Sequence, residues 1–287
     1  MTIAITGATG QLGRLAVAAL KARVPAGSIV ALVRDPAKAA DLGVPTRAFD
    51  YTAAPEAQKA ALAGVDTLVL ISSNDFNDRA GQHLAVISAA KAAGVAHLIY
   101  TSILKGDASP MLLAADHKAT EAAILASGLA YTLLRNGWYT ENMTGSLGAA
   151  VAHGAMIGSA GTGRLSAAAR ADYAEAIAVV ASGEGHKGKI YELAGDTAFT
   201  MAEMAAEVSR QTGKQIPYTS LPAETYAGIL AGFGLPQGFA AILADSDVKA
   251  AEGALFDDSR TLSRLIGRPT TPMAATVSAA LGTTQAV

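Results

Sequence analysis

The sequence contains no cysteine, and this absence excludes several kinds of chemistry. Disulfide bonds, thiolate metal sites and a cysteine nucleophile are all ruled out. Charged residues make up only 16% of the chain, the formal net charge is −2, and no basic block stands out. Neither nucleic acid nor an anionic membrane surface is therefore an expected partner.

Long apolar runs are also missing. No stretch of ~18 apolar residues free of charges and turn residues is present, so we expect no membrane span. The N-terminus lacks the basic start and long apolar run of a signal peptide, and we therefore expect a cytoplasmic protein. Hydrophobic residues nevertheless make up 51% of the chain, which is enough to bury a sizeable core.

In the first half of the chain, short apolar runs alternate with alanine-rich helical segments. Strands are predicted at residues 3–6, 29–33, 46–49, 67–71, 97–101 and 131–134, and helices at residues 12–22, 56–63, 80–93 and 112–126. The strands are continuous apolar runs, the pattern of strands covered on both faces. Alternating strands and helices predict right-handed βαβ units, and hence an α/β fold with a Rossmann-type, doubly wound parallel sheet.

The first predicted strand leads into a glycine motif, Gly7-x-x-Gly10-x-x-Gly13, which a helix follows. A tight turn needs the backbone freedom of glycine, and a pyrophosphate needs close approach of bare backbone. The helix adds free N–H groups and the positive end of its dipole. We interpret this segment as a dinucleotide-binding turn; the alternative is an ordinary glycine-rich connection. The residues predicted to hold the pyrophosphate are Gly7, Thr9, Gly10, Gln11, Leu12 and Gly13.

The end of the second strand bears on the choice of cofactor. NAD sites usually carry an acidic residue there to hold the ribose hydroxyls. Here Arg34 arrives about 20 residues after the glycine turn. A guanidinium matches a 2′-phosphate in charge and in geometry, which favours NADPH. Alternatively, Arg34 is solvated and Asp35 binds the ribose; Asp35 is also the expected N-cap of a helix opened by Pro36. Asp50, after the third strand, is predicted either to accept from the adenine amino group or to cap a turn.

The pattern changes after about Gly137, where glycine becomes frequent. A short strand is predicted at residues 189–193, followed by helices at residues 201–212, 223–232, 238–252, 261–266 and 273–281. We interpret residues 1–137 as the NADPH-binding domain. Residues 138–287 are interpreted as a smaller, mostly helical, substrate-side lobe that is partly interleaved with the sheet.

An ordered series of motifs carries a family resemblance. The series comprises the glycine turn and residues 33–38, 71–73, 90–95, 100–102, 132–139, 191–196, 243–247, 256–259 and 265–267. It resembles the NmrA-like atypical short-chain dehydrogenases. Within them the chain is most similar to the type 2 NAD(P)H:quinone oxidoreductases, with triphenylmethane reductase a nearer relative than the NmrA regulators.

This resemblance implies NADPH-dependent two-electron reduction of quinones, or of other electron-poor conjugated acceptors. It also implies a site beyond the carboxyl ends of the strands, where ligands of open parallel sheets bind. The residues that it places beside the cofactor are Ser72, Ser73, Asn74, Thr101 and Ser102. The segment that it places along the nicotinamide and the substrate contains Asn136, Trp138, Tyr139 and Asn142.

The chain departs from the Tyr-x-x-x-Lys pair of standard short-chain dehydrogenases. Ala114 stands four residues before Lys118, so no tyrosine acid is available there. Ketone reduction needs a positioned proton for an alkoxide, and this departure puts it in doubt. Quinone reduction spreads charge over an aromatic oxyanion, for which positioned hydrogen-bond donors suffice.

Several side chains are candidates for the reaction. His117 is the leading proton donor on its helix, because the pKa of histidine lies nearest neutrality; alternatively it packs on the cofactor or caps backbone. Lys118 is a ribose or nicotinamide contact, or else faces solvent. Tyr139 and Asn142 are candidate substrate contacts. We expect His83 to be a surface helix residue; the alternative is a position facing the cleft.

Other polar residues favour structural roles. Trp138 is expected to belong to the core or the cleft wall, with a stacking platform as the alternative. Arg170 and Asp172 are expected to form a structural pair or a cap; alternatively, Arg170 reaches the cofactor. An acidic set is expected to consist of caps and solvated side chains, and we expect no metal site. Its members are Asp245, Asp247, Asp257 and Asp258.

Three functions remain open at this stage. The first is an NADPH-dependent quinone reductase acting on a small molecule. The second is an NmrA-like redox sensor that binds a dinucleotide and a protein partner without turnover. The third is a reductase of dyes or other aromatic intermediates. The sequence also leaves a homodimer open.

Overall fold

The computed structural model describes residues 1–75 and 77–284. Its strands and α-helices are β1 (Ile3–Thr6), α1 (Gln11–Lys21), β2 (Ile29–Val33), β3 (Thr46–Ala48), α2 (Pro55–Ala61), β4 (Thr67–Leu70), α3 (Arg79–Ala92), β5 (His97–Ile103), α4 (Ala114–Ser127), β6 (Tyr131–Asn136), α5 (Thr140–Thr144), α6 (Leu147–His153), β7 (Met156–Gly158), α7 (Arg170–Ser182), β8 (Lys189–Leu193), α8 (Met201–Thr212), β9 (Tyr218–Ser220), α9 (Ala223–Gly232), α10 (Gln237–Ala251), α11 (Thr261–Ile266) and α12 (Met273–Thr284). Short 3-10 helices occupy Ala26–Ser28, Pro36–Leu42 and Gly106–Ala108. Every predicted strand and helix has a counterpart here, whereas α5, α6, α7, β7 and β9 were not predicted.

Two compact units make up the chain. The first consists of residues 1–106, 116–136 and 170–192, and the second of residues 107–115, 137–169 and the chain from residue 193. Helix α7 and most of β8 therefore belong to the first unit, although the sequence analysis placed them in the substrate-side lobe. The single domain boundary after residue 137 stays a prediction.

A seven-stranded sheet forms the centre of the first unit, in the order β3-β2-β1-β4-β5-β6-β8. All pairings from β3 through β6 are parallel; Ile5, for example, lies opposite Ala31 of β2 and Val69 of β4. Every residue of β1, β2, β4 and β5 is buried, as their continuous apolar runs predict. The Rossmann-type α/β fold is confirmed.

Helices cover both faces of this sheet. Alternate strand residues such as Ala4, Leu32 and Leu98 share one apolar cluster with side chains from α3 and α4. The intervening residues, such as Ile5, point to the opposite face because strand side chains alternate. Helix α7 packs along α1 and contacts β4, β5 and β6 there. Since β1 to β6 run parallel, their carboxyl ends meet at one edge of the sheet.

The second unit is mostly helical. It contains a small parallel sheet of β7 and β9, helices α9 and α10 packed on each other, and α12 packed on α5 and α8. Helix α8 opens with a capping box, in which Thr200 and Glu203 satisfy each other's backbone N–H groups. Within residues 1–75 and 77–284, no helix combines the length and the apolar character that crossing a bilayer requires.

Candidate functional site

The glycine turn lies at the carboxyl end of β1, at the edge of the sheet where the site is expected. Gly7 adopts a left-handed conformation with φ of 60°, and its carbonyl accepts a 2.9 Å hydrogen bond from the Gly10 N–H. Gly10 is the N-cap of α1, whose first turn carries neither a side-chain cap nor an acidic residue. The first N–H groups of the helix therefore have no capping side chain to accept their hydrogen bonds, and they suit an anionic ligand.

Gly13 allows this turn to pack against α1. A Cβ at this position would lie 2.7 Å from the Ala8 Cα and 2.9 Å from the Gly7 carbonyl carbon, and would overlap the Gly7 carbonyl oxygen. These neighbours are backbone atoms that no rotamer change can move. Leu12 is buried, Gln11 is exposed, and the bare backbone of the turn fits a dinucleotide pyrophosphate.

Arg34, which directly follows β2, adds a positively charged side chain at the same edge of the sheet. Arg34 is exposed, and its charge contributes to lowering the pKa of Asp50, so the two side chains lie near each other. The Asp35 carboxylate accepts from the Ala37 N–H at 3.0 Å and caps the 3-10 helix that Pro36 opens. The predicted N-cap is thus confirmed, and the carboxylate is engaged in that cap.

Asp50 caps its own turn. Its Oδ1 accepts hydrogen bonds from the N–H and the hydroxyl of Thr52, both at 2.9 Å, and the backbone bond is the main cause of its lowered pKa. Contact with adenine stays a prediction for this residue.

Tyr51, which the sequence analysis did not select, joins three strand ends. Its hydroxyl donates to the Ile71 carbonyl at 2.7 Å and lies 2.8 Å from the Thr6 Oγ1. Burial raises the pKa of this phenol. Tyr51 thereby fixes the ends of β1 and β4 beside the glycine turn.

The residues after β4 are held by β5 and α3. The Ser72 N–H donates to the Thr101 Oγ1 at 2.9 Å, and the Ser73 hydroxyl donates to the Gln82 Oε1 at 2.9 Å. Asn74 is exposed beside them. These bonds hold Ser72 and Ser73 at the end of β4, and contact of all three residues with a cofactor stays a prediction.

A buried tyrosine lies between two histidines in the first unit. The Tyr100 hydroxyl is 2.8 Å from the His117 Nδ1 and 3.5 Å from the His83 Nδ1. His83 is fully buried, so its expected place on the surface is wrong: Ser73 and Thr120 bind its two ring nitrogens. Tyr100 was missed, although a tyrosine within a buried strand needs a partner for its hydroxyl.

Both histidines are neutral at physiological pH. Burial, assisted by the nearby charge of Arg79, lowers the pKa of His117 to about 3 and that of His83 to about 4. The sequence argument that His117 titrates near neutrality is therefore wrong, because the ring loses its water on folding. A neutral imidazole still donates a hydrogen bond from its N–H. Lys118, the next residue of α4, is half-buried.

Ser102 faces a partly buried ion-pair network. Its hydroxyl donates to the Glu121 Oε1 at 2.5 Å, and Arg135 binds both oxygens of that carboxylate, at 3.0 and 2.6 Å. Arg135 also reaches Glu192 at 2.9 Å. The network anchors β5, α4, β6 and β8 to one another, and Asn136 ends β6 as a buried residue.

The remaining site candidates lie in the second unit. The Gly137 N–H donates to the Leu193 carbonyl at 2.7 Å, and the Thr140 N–H donates to the Ala168 carbonyl at 2.9 Å. Trp138 and Tyr139 lie between these two bonds and are half-buried. For Trp138 this burial is compatible with the expected position in a cleft wall. Asn142 is exposed on α5. Their contacts with cofactor or substrate stay predictions.

The acidic residues that the sequence assigned to caps do bind backbone N–H groups. Asp245 accepts from Leu112 at 2.8 Å, Asp247 from Ser159 at 2.7 Å, and Asp257 from Ser259 at 3.0 Å. Asp258 is exposed, and Asp172 is buried in the first turn of α7. In the part of the chain that the structure describes, no group of three His, Asp or Glu side chains is arranged to hold a metal ion.

Asp247 gives a testable pH dependence. Burial raises its pKa, and the Ser159 N–H opposes the shift. A carboxyl whose pKa is raised on folding favours the fold at low pH, and this contribution is lost as pH rises through the folded pKa. We expect Asp247→Asn, which keeps a carbonyl acceptor for Ser159, to raise the Tm at pH 7. The gain should shrink on acidification towards the unfolded value of 3.8.

Thermal unfolding between pH 4 and 8 measures this gain. The exposed Asp258→Asn is the matched control and should leave the Tm almost unchanged at every pH. A lower Tm for Asp247→Asn at pH 7 would mean that the charged carboxylate stabilises the second unit.

Comparison with known proteins gives a consistent assignment. The NAD(P)H-binding family profile matches residues 7–184. Quinone oxidoreductase 2 of Escherichia coli K12 is 54% identical over 96% of this chain and 97% of its own length. NAD(P)H azoreductase of Xenophilus azovorans is 29% identical over 93% of each chain.

Solved structures agree with these relatives. The NADPH complex of the Escherichia coli quinone oxidoreductase superposes with a TM-score of 0.95 at 53% identity, covering 98% of this chain and all (100%) of that one. The NADP(H) complex of Citrobacter sp. triphenylmethane reductase gives a TM-score of 0.92 at 37% identity, covering 97% and 100%. The resemblance inferred from the sequence motifs is confirmed, and the chain belongs to the NAD(P)H-binding family, alongside quinone oxidoreductase 2.

Proposed function

We propose that this protein is an NADPH-dependent quinone oxidoreductase. It converts a quinone, NADPH and a proton into the hydroquinone and NADP⁺, and it accepts similar conjugated substrates. The observation that carries this proposal is the 54% identity to quinone oxidoreductase 2 over 96% of the chain. A turn of bare backbone before an uncapped helix supports it independently.

NADPH, when bound, supplies the hydride. The backbone of the glycine turn binds the pyrophosphate, with Gly7, Thr9, Gly10, Gln11, Leu12 and Gly13 as the contacts. Arg34 binds the 2′-phosphate through its guanidinium. The other proposed cofactor contacts are Asp50, Ser72, Ser73, Asn74, Thr101, Ser102, Lys118, Asn136, Trp138 and Tyr139.

Three side chains are proposed to act on the acceptor: His117, Tyr139 and Asn142. Each offers a hydrogen-bond donor to the acceptor oxygen, on which negative charge develops. Ala114 is buried at the position of the absent tyrosine acid. An aromatic oxyanion is a weaker base than an alkoxide, so hydrogen bonding followed by protonation from water suffices for quinones but not for simple ketones.

The partner, the location and the oligomeric state are also proposed. With 16% charged residues and a net charge of −2, the proposed partner is a small molecule and not nucleic acid. We also propose a cytoplasmic location and a homodimer, with residues 1–137 binding cofactor and residues 138–287 binding acceptor. Light scattering of the purified protein reads the oligomeric state directly.

The decisive test is NADPH oxidation with a panel of acceptors. We expect rapid oxidation with a benzoquinone, negligible oxidation without an acceptor, and none with a simple aliphatic ketone. An azo dye and a triphenylmethane dye belong in the panel, because relatives at 29% and 37% identity are named for such substrates. Faster turnover of a dye would favour the dye reductase. NADPH binding, measured by fluorescence, without turnover of any acceptor would favour the redox sensor.

A further inference from the structure

We propose that Tyr100 is a positioning residue that holds His117 in a single tautomer, with the ring proton on Nε2. In that tautomer a neutral imidazole N–H is available as a donor to the acceptor oxygen. The part played in turnover rests on the proposed quinone reduction, whereas the tautomer follows from the hydrogen bonds and from the relative donor strengths of phenol and imidazole.

The direction of these bonds is set at one end by a backbone amide. The Ser73 N–H can only donate, and it donates to the His83 Nε2 at 2.9 Å. A neutral imidazole has one nitrogen with a free lone pair, so the His83 proton is on Nδ1. This Nδ1–H donates to the Thr120 Oγ1 at 2.9 Å, and the Thr120 hydroxyl in turn donates a hydrogen bond to the Asp116 carbonyl at 2.7 Å.

The proton on the His83 Nδ1 also decides to which histidine the Tyr100 hydroxyl donates. Because the His83 Nδ1 carries a proton, it cannot accept from the Tyr100 hydroxyl 3.5 Å away. Of the two ring nitrogens, the His117 Nδ1 is the closer at 2.8 Å. Thr120 and Ser72 also lie near the hydroxyl and act on the pKa of Tyr100 through hydrogen bonding. A phenol O–H is a stronger donor than an imidazole N–H, and an imidazole nitrogen is the stronger acceptor. Tyr100 therefore donates to His117 Nδ1, which leaves the ring proton on Nε2.

The surroundings keep His117 uncharged, so that only two tautomers compete. The ring is buried, and the groups that face it are Arg79, His83 and Tyr100; Arg79 in turn lies 3.9 Å from Asp116. Loss of water and the positive charge of Arg79 both disfavour an imidazolium. The neutral His117 ring therefore acts as a hydrogen-bond donor through its N–H, and its protonation state does not change.

A second buried histidine of the same sheet serves as an internal reference. The His97 Nε2 lies 2.8 Å from the Thr132 Oγ1, and Thr132 donates its proton to the His186 carbonyl at 2.7 Å. His97 must then donate from Nε2. Three buried histidines thus have assigned tautomers: Nδ1–H for His83, and Nε2–H for His97 and His117.

Side-chain ¹H–¹⁵N correlation spectra of the full-length, ¹⁵N-labelled protein test the assignment, because they distinguish the protonated ring nitrogen from the bare one. Variants His83→Gln, His97→Gln and His117→Gln identify the signals. We expect Tyr100→Phe to move His117 to a mixture of tautomers and to leave His97 unchanged. The control Tyr131→Phe, on β6, should leave all three rings as they are.

Kinetics supply the second measurement. We expect Tyr100→Phe to lower kcat with benzoquinone by about tenfold with little change in the KM for NADPH, as loss of one donor-positioning bond implies. Wild-type His117 protonated on Nδ1, or a Tyr100→Phe spectrum with His117 unchanged, overturns the proposal. A changed tautomer with unchanged kcat overturns the role in turnover. If the wild type reduces no quinone, the spectra still decide the tautomer, and only the proposed function has failed.

Discussion

Gly13→Ala is expected to weaken NADPH binding by at least about tenfold and to destabilise the fold by ~1–3 kcal/mol. The added Cβ would meet the Ala8 Cα at 2.7 Å and the carbonyl group of Gly7. Since both are backbone, relief requires α1 to move away from the turn, which misplaces the N–H groups proposed to bind pyrophosphate. Fluorescence titration with NADPH and thermal unfolding measure the two effects.

Gly27→Ala is the matched control for this substitution. Gly27 lies in the same βαβ segment, before β2, and a Cβ built on it would meet no atom within 4 Å beyond the adjoining backbone. We expect a change of at most ~0.5 kcal/mol and unaltered NADPH affinity. If both alanine variants behaved alike, the close approach at Gly13 would not be what shapes the binding turn.

The central sheet was predictable because its strands are buried on both faces. Residues Ile3–Thr6 and Ile29–Val33 form apolar runs too short for helices, and glycine and proline residues occur in the segments between the runs. The glycine turn was predictable for a related reason, since its context between a strand and a helix is local in sequence. Arg34 and Asp35 followed from their position at the end of β2.

Helix α7 was not predictable from the same signals. Residues Arg170–Ser182 are buried on most sides, so polar residues do not mark an exposed face with a helical period. Strand β8 was predicted, but its pairing with β6 joins residues more than 50 positions apart, for which the local pattern holds no information.

The environment of the buried histidines could not be predicted from the sequence either. His83 has the sequence environment of a surface helix residue, and only the fold brings it against Tyr100 and Thr120. The lowered pKa of His117 is likewise a tertiary effect, caused by burial and by Arg79. A sequence shows which residue types are available, whereas hydrogen-bond direction and pKa depend on packing between segments far apart in the chain.

Arg34→Ala is expected to weaken NADPH binding by ~10- to 150-fold while leaving NADH affinity almost unchanged. Hydrogen bonds to charged groups contribute ~1.5–3 kcal/mol, and every 1.4 kcal/mol changes a Kd about tenfold. Arg34 is suited to this part because its side chain is exposed at the end of β2. Arg14, on α1, is instead occupied by Asp41 and by the carbonyls of Thr9 and Lys38.

The titrations discriminate cleanly between the two cofactors, because only NADPH carries the 2′-phosphate. Arg23→Ala, an exposed arginine just after α1, removes the same charge from the opposite end of that helix and should leave both affinities near wild type. Raising the salt concentration should weaken NADPH binding to the wild type more than to Arg34→Ala, since the ion pair is exposed. Equal losses for NADPH and NADH in Arg34→Ala would assign Arg34 to the shared part of the two dinucleotides, and the preference for NADPH would need another source.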